Sequence, residues 1–237
     1  MTAQMTAQMT AQMTAQLAPI GCRGFDTNAP IDREGAVAFF EHGYRFALRY
    51  VRRVVARTSD ISVDEVQRIH DAGLALGIVQ HVESETSWVP SLEKGQSYGA
   101  TAAQACTEIS LPAGVTVWCD LEGVARGTLA SETIAHCNAW YEAVANAGFV
   151  PGLYIGWRCG LTPDQLYYKL KFAHFWAAYN LNNDEEPSIR GVQLKQNAAS
   201  KSDMPPGMGA PIDTDRVLID KLGGLPTFWA PDEWTGA

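Results

Sequence analysis

The segment Val115-Thr-Val-Trp-Cys-Asp-Leu-Glu122 sets two carboxylates two residues apart at the end of a β-branched, apolar run. Strand side chains alternate between faces, so Trp118, Asp120 and Glu122 share one face while Val117, Cys119 and Leu121 share the other. Two carboxyl groups close together in a partly dry site do not readily both ionise, and one is held protonated. That pairing suits glycosidic cleavage: one group protonates the leaving oxygen and the other stabilises positive charge at the sugar carbon. Acids at a strand end also serve as arginine partners, and Arg23, Arg49 and Arg126 are available.

Other acids end other apolar runs: Asp26, Glu83, and the pair Asp213 and Asp215. Tyr154, Trp157, Trp176 and Tyr179 stand on or after late runs, where an aromatic face can stack on a sugar or simply pack in a core. Trp118, Tyr154, Trp157, Tyr179, Gln193 and Glu83 are the expected substrate contacts; Lys195 and Gln196 are further hydrogen-bonding candidates. The five histidines show no H-E-x-x-H or paired metal spacing. The five cysteines contain no C-x-x-C pair and read as reduced, buried thiols. Neither a metal nor an organic cofactor is expected.

For acids so far apart in sequence to act together, the elements must gather their strand ends. Strand-like runs fall at 22–26, 44–51, 78–83, 115–122, 151–157, 172–180, 191–196 and 212–217. Helical patterns fall at 33–42, at 62–76 with a Ser62/Glu65 capping box and a stop at Gly77, at 99–109, at 131–147 behind a Ser131 cap, and at 163–170. Strands alternating with helices predict parallel βαβ units. The fold class expected is α/β, an irregular TIM-type (β/α) barrel with its helices concentrated in the first half and its chemistry at the C-terminal strand ends. The absence of G-x-G-x-x-G after the first run weakens the alternative, an open dinucleotide-binding sheet.

The 237 residues carry a formal net charge of −8, which argues against nucleic acid as a partner. No apolar run is long enough for a transmembrane segment. Residues 1–16 are Met-Thr-Ala-Gln written four times. They lack the basic and apolar regions of a signal peptide, so the expected location is cytoplasmic by default, with release to the cell envelope by another route. Period four drifts on a helix of 3.6 residues per turn, so 1–16 reads as a low-complexity tail outside a barrel domain at 17–237. Oligomeric state leaves no signal.

Gly24-Phe-Asp26, Val117-Trp-Cys-Asp-Leu-Glu122, Gly152-Leu-Tyr-Ile-Gly156, Trp176-Ala-Ala-Tyr179, Gly191-Val-Gln193 and Ile212-Asp213 occur in the order seen in family-25 glycoside hydrolases, the lysozyme-type muramidases. Gly148-Phe-Val-Pro-Gly-Leu-Tyr154 and Gly191-Val-Gln-Leu-Lys-Gln196 look more closely like the glycoside-hydrolase-like "domain of unknown function 1906" family. The resemblance spans about Gly21 to Pro231. It implies a carboxylate-rich groove in which Glu122 matches the general acid and Asp120 its neighbour. Asp26 matches the first-strand aspartate and Asp213 that of the last strand. Asp213-Thr-Asp215 departs from the usual Asp-x-Asn, and the loops after the third and fourth strands differ. The expected activity is hydrolysis of a β-linked glycan such as peptidoglycan. The alternative is a catalytically silent barrel that binds a glycan or envelope component.

Overall fold

The computed structural model describes residues 13–181, 186–209, 211–232 and 234. After β1 (Met13–Leu17), eight strands close into a ring: β2 (Arg23–Thr27), β3 (Phe46–Val51), β4 (Ala75–Gln80), β5 (Thr116–Leu121), β6 (Val150–Ile155), β7 (His174–Ala177), β8 (Leu194–Ala198) and β9 (Asp213–Val217). Strands β2 to β8 are parallel, and β9 runs antiparallel to both β8 and β2. Helices α1 (Arg33–Glu41), α2 (Val63–Asp71), α3 (Leu92–Glu108), α4 (Ala130–Asn146) and α5 (Pro163–Tyr168) follow β2 to β6 in turn. The irregular TIM-type barrel with its helices early in the chain is therefore observed.

The direction of β9 has a local cause. Asp213 pairs with Ala198, so the connection from β8 stays at one end of the barrel, with only the short turn Lys201–Asp203 inside it. A parallel return would need a crossover to the far end. Asp213 consequently reaches the barrel mouth from the start of its strand.

The barrel has two apolar layers. Phe46, Leu48, Val79, Trp118, Trp176, Leu194 and Val217 fill the interior, whereas Phe25, Leu76, Ile78, Val117, Cys119 and Leu153 pack outward under the helices. The alternation expected for β5 is thus observed. All five cysteines are free, buried thiols. Among the described residues, no helix is long and apolar enough to cross a membrane.

The other end is closed by an antiparallel ribbon of β1 and β10 (Thr227–Pro231). Phe228 enters the barrel floor and meets the Phe46 ring at 4.5 Å between centroids. The fourth repeat, Met13 to Gln16, therefore belongs to the folded domain rather than to a tail ending at residue 16. A period of four drifts on a helix but is a multiple of the strand period of two, so Met13, Ala15 and Leu17 share one face and Thr14 and Gln16 the other. Thr14 and Gln16 donate to Asp232 Oδ1 at 2.7 and 3.2 Å. The first three repeats, residues 1–12, lie outside the described residues.

Some helix limits also move. The α2 helix stops at Asp71 and turns at Gly73, whose φ is +88°. Gly77 lies inside β4, where a Cβ would come within 2.7 Å of the Phe228 ring. Helix α3 starts at Leu92 behind a Ser91 cap, and the α4 cap is Leu129 with Glu132 rather than Ser131.

Candidate active site

At the C-terminal end of the barrel the inward-facing residues become polar. Asp26, Tyr50, Asp120, Tyr154, Gln196 and Asp215 come from six different strands, with His81 one residue past β4 and Glu122 one residue past β5. The register sets Asp26 opposite Asp213 and Gly24 opposite Asp215. Acids far apart in sequence thus converge because β9 doubles back beside β2.

Gln196 ties the group together. Its Nε2 donates to Asp26 Oδ2 at 2.8 Å and to Asp213 Oδ2 at 3.3 Å, while its Oε1 accepts from the Tyr154 hydroxyl at 2.9 Å. Tyr50 donates to Asp26 Oδ1 at 3.3 Å, and the Trp176 indole donates to Asp215 Oδ1 at 2.8 Å. Burial pushes Asp26 up to about 7 against the opposing bond from Gln196. Burial and the neighbouring Asp26 hold Asp215 well above the usual range. Both shifts favour retention of a proton in this cluster.

Glu122 is fixed through its backbone. Its carbonyl accepts from the Trp88 indole at 2.6 Å, and the next residue, Gly123, donates to Trp157 O at 2.8 Å. Gly123 has φ +63° and lies so close to the loop after β4 that a Cβ would be 2.4 Å from Ser84 O. The side chain needs the bare Cα of Gly156, where a Cβ would meet Glu122 Oε2 at 2.5 Å. Burial, then the charges of Glu85 and Asp26, push the Glu122 carboxyl up to about 7. Asp120 is more deeply buried and stands well above its ordinary range, through burial first and then Glu122 and Glu85. Its Oδ1 has no hydrogen-bond partner among the described residues.

These two carboxyls open into a cavity of about 360 Å³, also lined by Asn28, Tyr50, Arg57, His81, Val82, Glu83, Glu85 and Thr86. Arginines do not plug it. Arg23 pairs with Asp203 at 2.6 Å and Arg49 with Glu65 at 2.6 Å, and Arg126 is exposed. Among the described residues, no ion pair involves Asp26, Asp120, Glu122, Asp213 or Asp215.

The remaining expected contacts divide. Glu83 lines the cavity, but Lys94 at 2.9 Å and the Tyr98 hydroxyl at 2.7 Å hold it ionised, below its ordinary value despite the opposing effect of burial. Trp157 and Tyr179 are exposed, and Tyr154 is half-buried against Trp176. Trp118 and Gln193 are fully enclosed, which removes both as direct substrate contacts. Trp118 lies in the barrel floor, under the Cα of Gly152, where a Cβ would be 2.4 Å from its ring. Gln193 splices backbone: it accepts from Phe175 N at 2.7 Å and donates to Ala173 O and Asp220.

Sequence reasoning missed Tyr50, Glu85, Asn28, Arg57 and Trp88. Tyr50 was legible in principle, since it continues the inward alternation Phe46, Leu48, Tyr50 to the top of β3. The others sit in loops without a periodic signal.

The profile of the Rv2525c-like, glycoside hydrolase-like domain matches residues 37–207. The chain belongs to this family. The Tat-secreted protein Rv2525c of Mycobacterium tuberculosis, solved with L-tartrate, superposes with a TM-score of 0.62 at 15% identity, covering 89% of this chain and 100% of that one. A bacterial lysozyme from Streptomyces coelicolor gives 0.56 at 14% identity, covering 85% and 93%. The modular autolysin LytC from Streptococcus pneumoniae, solved with a synthetic peptidoglycan ligand, gives 0.57 at 10% identity, covering 82% of this chain and 46% of that one. No curated protein sequence matches the chain significantly. At these identities the likenesses establish the fold that the Rv2525c-like domain shares with lysozymes and muramidases.

Proposed function

We propose that this glycoside hydrolase-like domain cleaves a β-linked glycan, peptidoglycan foremost, with Glu122 as the proton donor. The observation that carries the reading is a carboxyl raised to about 7, half-buried on an open cavity and engaged in no ion pair among the described residues. Acid catalysis works best when the donor's pKa lies near the working pH. Burial and then the charge of Glu122 also raise Asp120, so the two carboxyls retain a proton near neutral pH. Glu122, the less buried member, delivers it to the leaving oxygen. Positive charge growing at the sugar carbon favours the ionised form of the facing carboxyl, so Asp120 stabilises that charge or orients a substrate N-acetyl group.

Asp26, Asp213 and Asp215 support the site from behind. Asp26 and Asp213 hold Gln196, which orients the Tyr154 hydroxyl; Asp26 also holds the Tyr50 hydroxyl at the cavity wall, and its charge opposes ionisation of Glu122. The peptidoglycan ligand of LytC and the lysozyme neighbour guide the choice of substrate. The test incubates wild type and Glu122→Gln with peptidoglycan and with a chitin-type oligomer. Release of reducing ends by wild type alone is expected; release from neither polymer above the variant's level overturns the reading.

A further inference from the structure

One cation faces the acidic cavity without serving any of its acids. Arg57 lines the cavity together with Asn28, Asp120 and Glu122. Its guanidinium makes no hydrogen bond or ion pair among the described residues, although four carboxyl groups line the same space. The nearest acids are committed elsewhere. Asp60 accepts from His81 at 3.0 Å through one oxygen and from the Arg57 backbone N–H at 2.6 Å through the other. Glu83 is taken by Lys94 and Tyr98.

The turn that carries Arg57 is fastened to the barrel. Asp60 N donates back to Arg57 O at 3.1 Å, and Ile61 N donates to Tyr50 O at 2.9 Å. The fully buried Arg49, paired with Glu65, reaches out to Ser59 O at 2.8 Å. The Arg57 backbone is thus held by buried partners, while its charged end is left exposed at the cavity wall. An unpaired planar fork of N–H donors carried on a fastened backbone is suited to a carboxylate, which it can bind through two parallel hydrogen bonds. The Asn28 side-chain amide, also without a partner among the described residues, adds a donor in the same cavity.

We infer that Arg57, helped by Asn28, is a specificity-determining residue that binds a free carboxylate carried on a sugar of the glycan in this cavity, so that the preferred substrate is an acidic glycan. The inference rests on the glycan-cleaving reading for what occupies the cavity. The carboxylate has two available sources: the lactyl ether of a muramic residue stripped of its peptide, or a uronic acid. Both present the same group to the guanidinium.

The experiment measures binding to Glu122→Gln, which holds substrate without turnover, by isothermal titration. The probes are peptide-free peptidoglycan strands and a hyaluronan-type oligosaccharide, each as the free acid and after amidation of its carboxyls with methylamine. At least one free acid is expected to bind about tenfold or more tighter than its amide, as a charge-assisted pair implies. Adding Arg57→Gln removes that preference and leaves affinity for the amide within about twofold, while Arg57→Lys restores only part of it. The acid that shows the preference identifies the source. Equal binding of acid and amide, a preference that survives Arg57→Gln, or no binding of either acid overturns the inference. An Arg57-dependent preference in a protein whose wild type releases no reducing ends would sink hydrolysis and leave the carboxylate site standing.

Discussion

Glu122→Gln separates stability from chemistry in a way that needs no substrate. Burial and the neighbouring charges of Glu85 and Asp26 raise the Glu122 carboxyl from 4.5 to about 7 in the native state, whereas in the unfolded chain it returns to its ordinary value. The native state therefore holds this proton more tightly, and its stability falls as pH rises from about 4.5 through 7. Each unit of difference is worth about 1.4 kcal/mol, so the wild-type carboxyl costs about 3 kcal/mol at pH 8 and nothing at pH 4. Glutamine has nearly the same shape and no proton to lose. The variant should match wild type at pH 4 and exceed it by up to about 3 kcal/mol at pH 8, a rise in melting temperature of about 6–12 °C for a domain of this size.

Urea unfolding at pH 4, 6 and 8 reads this directly, as a shift of midpoint at constant slope. Removing the charge also relieves Asp120, which Glu122 holds high, so any excess over 3 kcal/mol carries the same sign. Turnover should move the other way, falling by about 10²–10⁴-fold. A variant no more stable than wild type at pH 8, or equally stabilised at pH 4, would refute the claim that Glu122 sits protonated in a dry site.

Gly156→Ala pushes a methyl group to 2.5 Å from Glu122 Oε2 and 2.9 Å from the Tyr154 ring, so the donor must shift by about an ångström. We expect kcat/KM to fall by about 10²-fold with a stability loss of about 1–3 kcal/mol, measured by turnover and melting of one preparation. Cleavage should decline by about tenfold per unit above pH 7 as Glu122 gives up its proton, which a kcat/KM profile on a peptidoglycan oligomer checks. Deleting residues 1–12 should leave the melting temperature unchanged. Deleting 1–17 strips β1 from β10 and should lower it clearly by calorimetry.

Strand alternation was enough to turn Asp120 and Glu122 inward and Val117, Cys119 and Leu121 outward, because a strand buried on both faces leaves no other choice. The closed ring was legible from the alternation of strands and helices. The floor ribbon was not. A Met-Thr-Ala-Gln repeat carries no strong β propensity, and β1 exists because β10 offers it a paired edge, a long-range contact that a local reading cannot contain. Likewise Leu74-Ala-Leu-Gly77 continues the apolar pattern of α2, and only the positive φ available to Gly73 stops the helix there. Glu85 and Arg57 reach the cavity from loops, where spacing carries no information about direction.

Trp118 shows how a residue can serve a site without touching its substrate. Burial is the largest cause raising Asp26, Asp120, Glu122, Asp213 and Asp215 alike. Beneath Asp120 on the same inward face of its strand, Trp118 meets Trp176 edge-on at 5.8 Å and fills the space left by Gly152. A polar or smaller floor would admit water under Asp120, and each carboxyl would return toward its ordinary value and lose its proton at neutral pH. The interior packing that closes the barrel thus also helps to keep water from the underside of Asp120. Aromatic bulk at position 118 thus serves the electrostatics above it from a fully enclosed position.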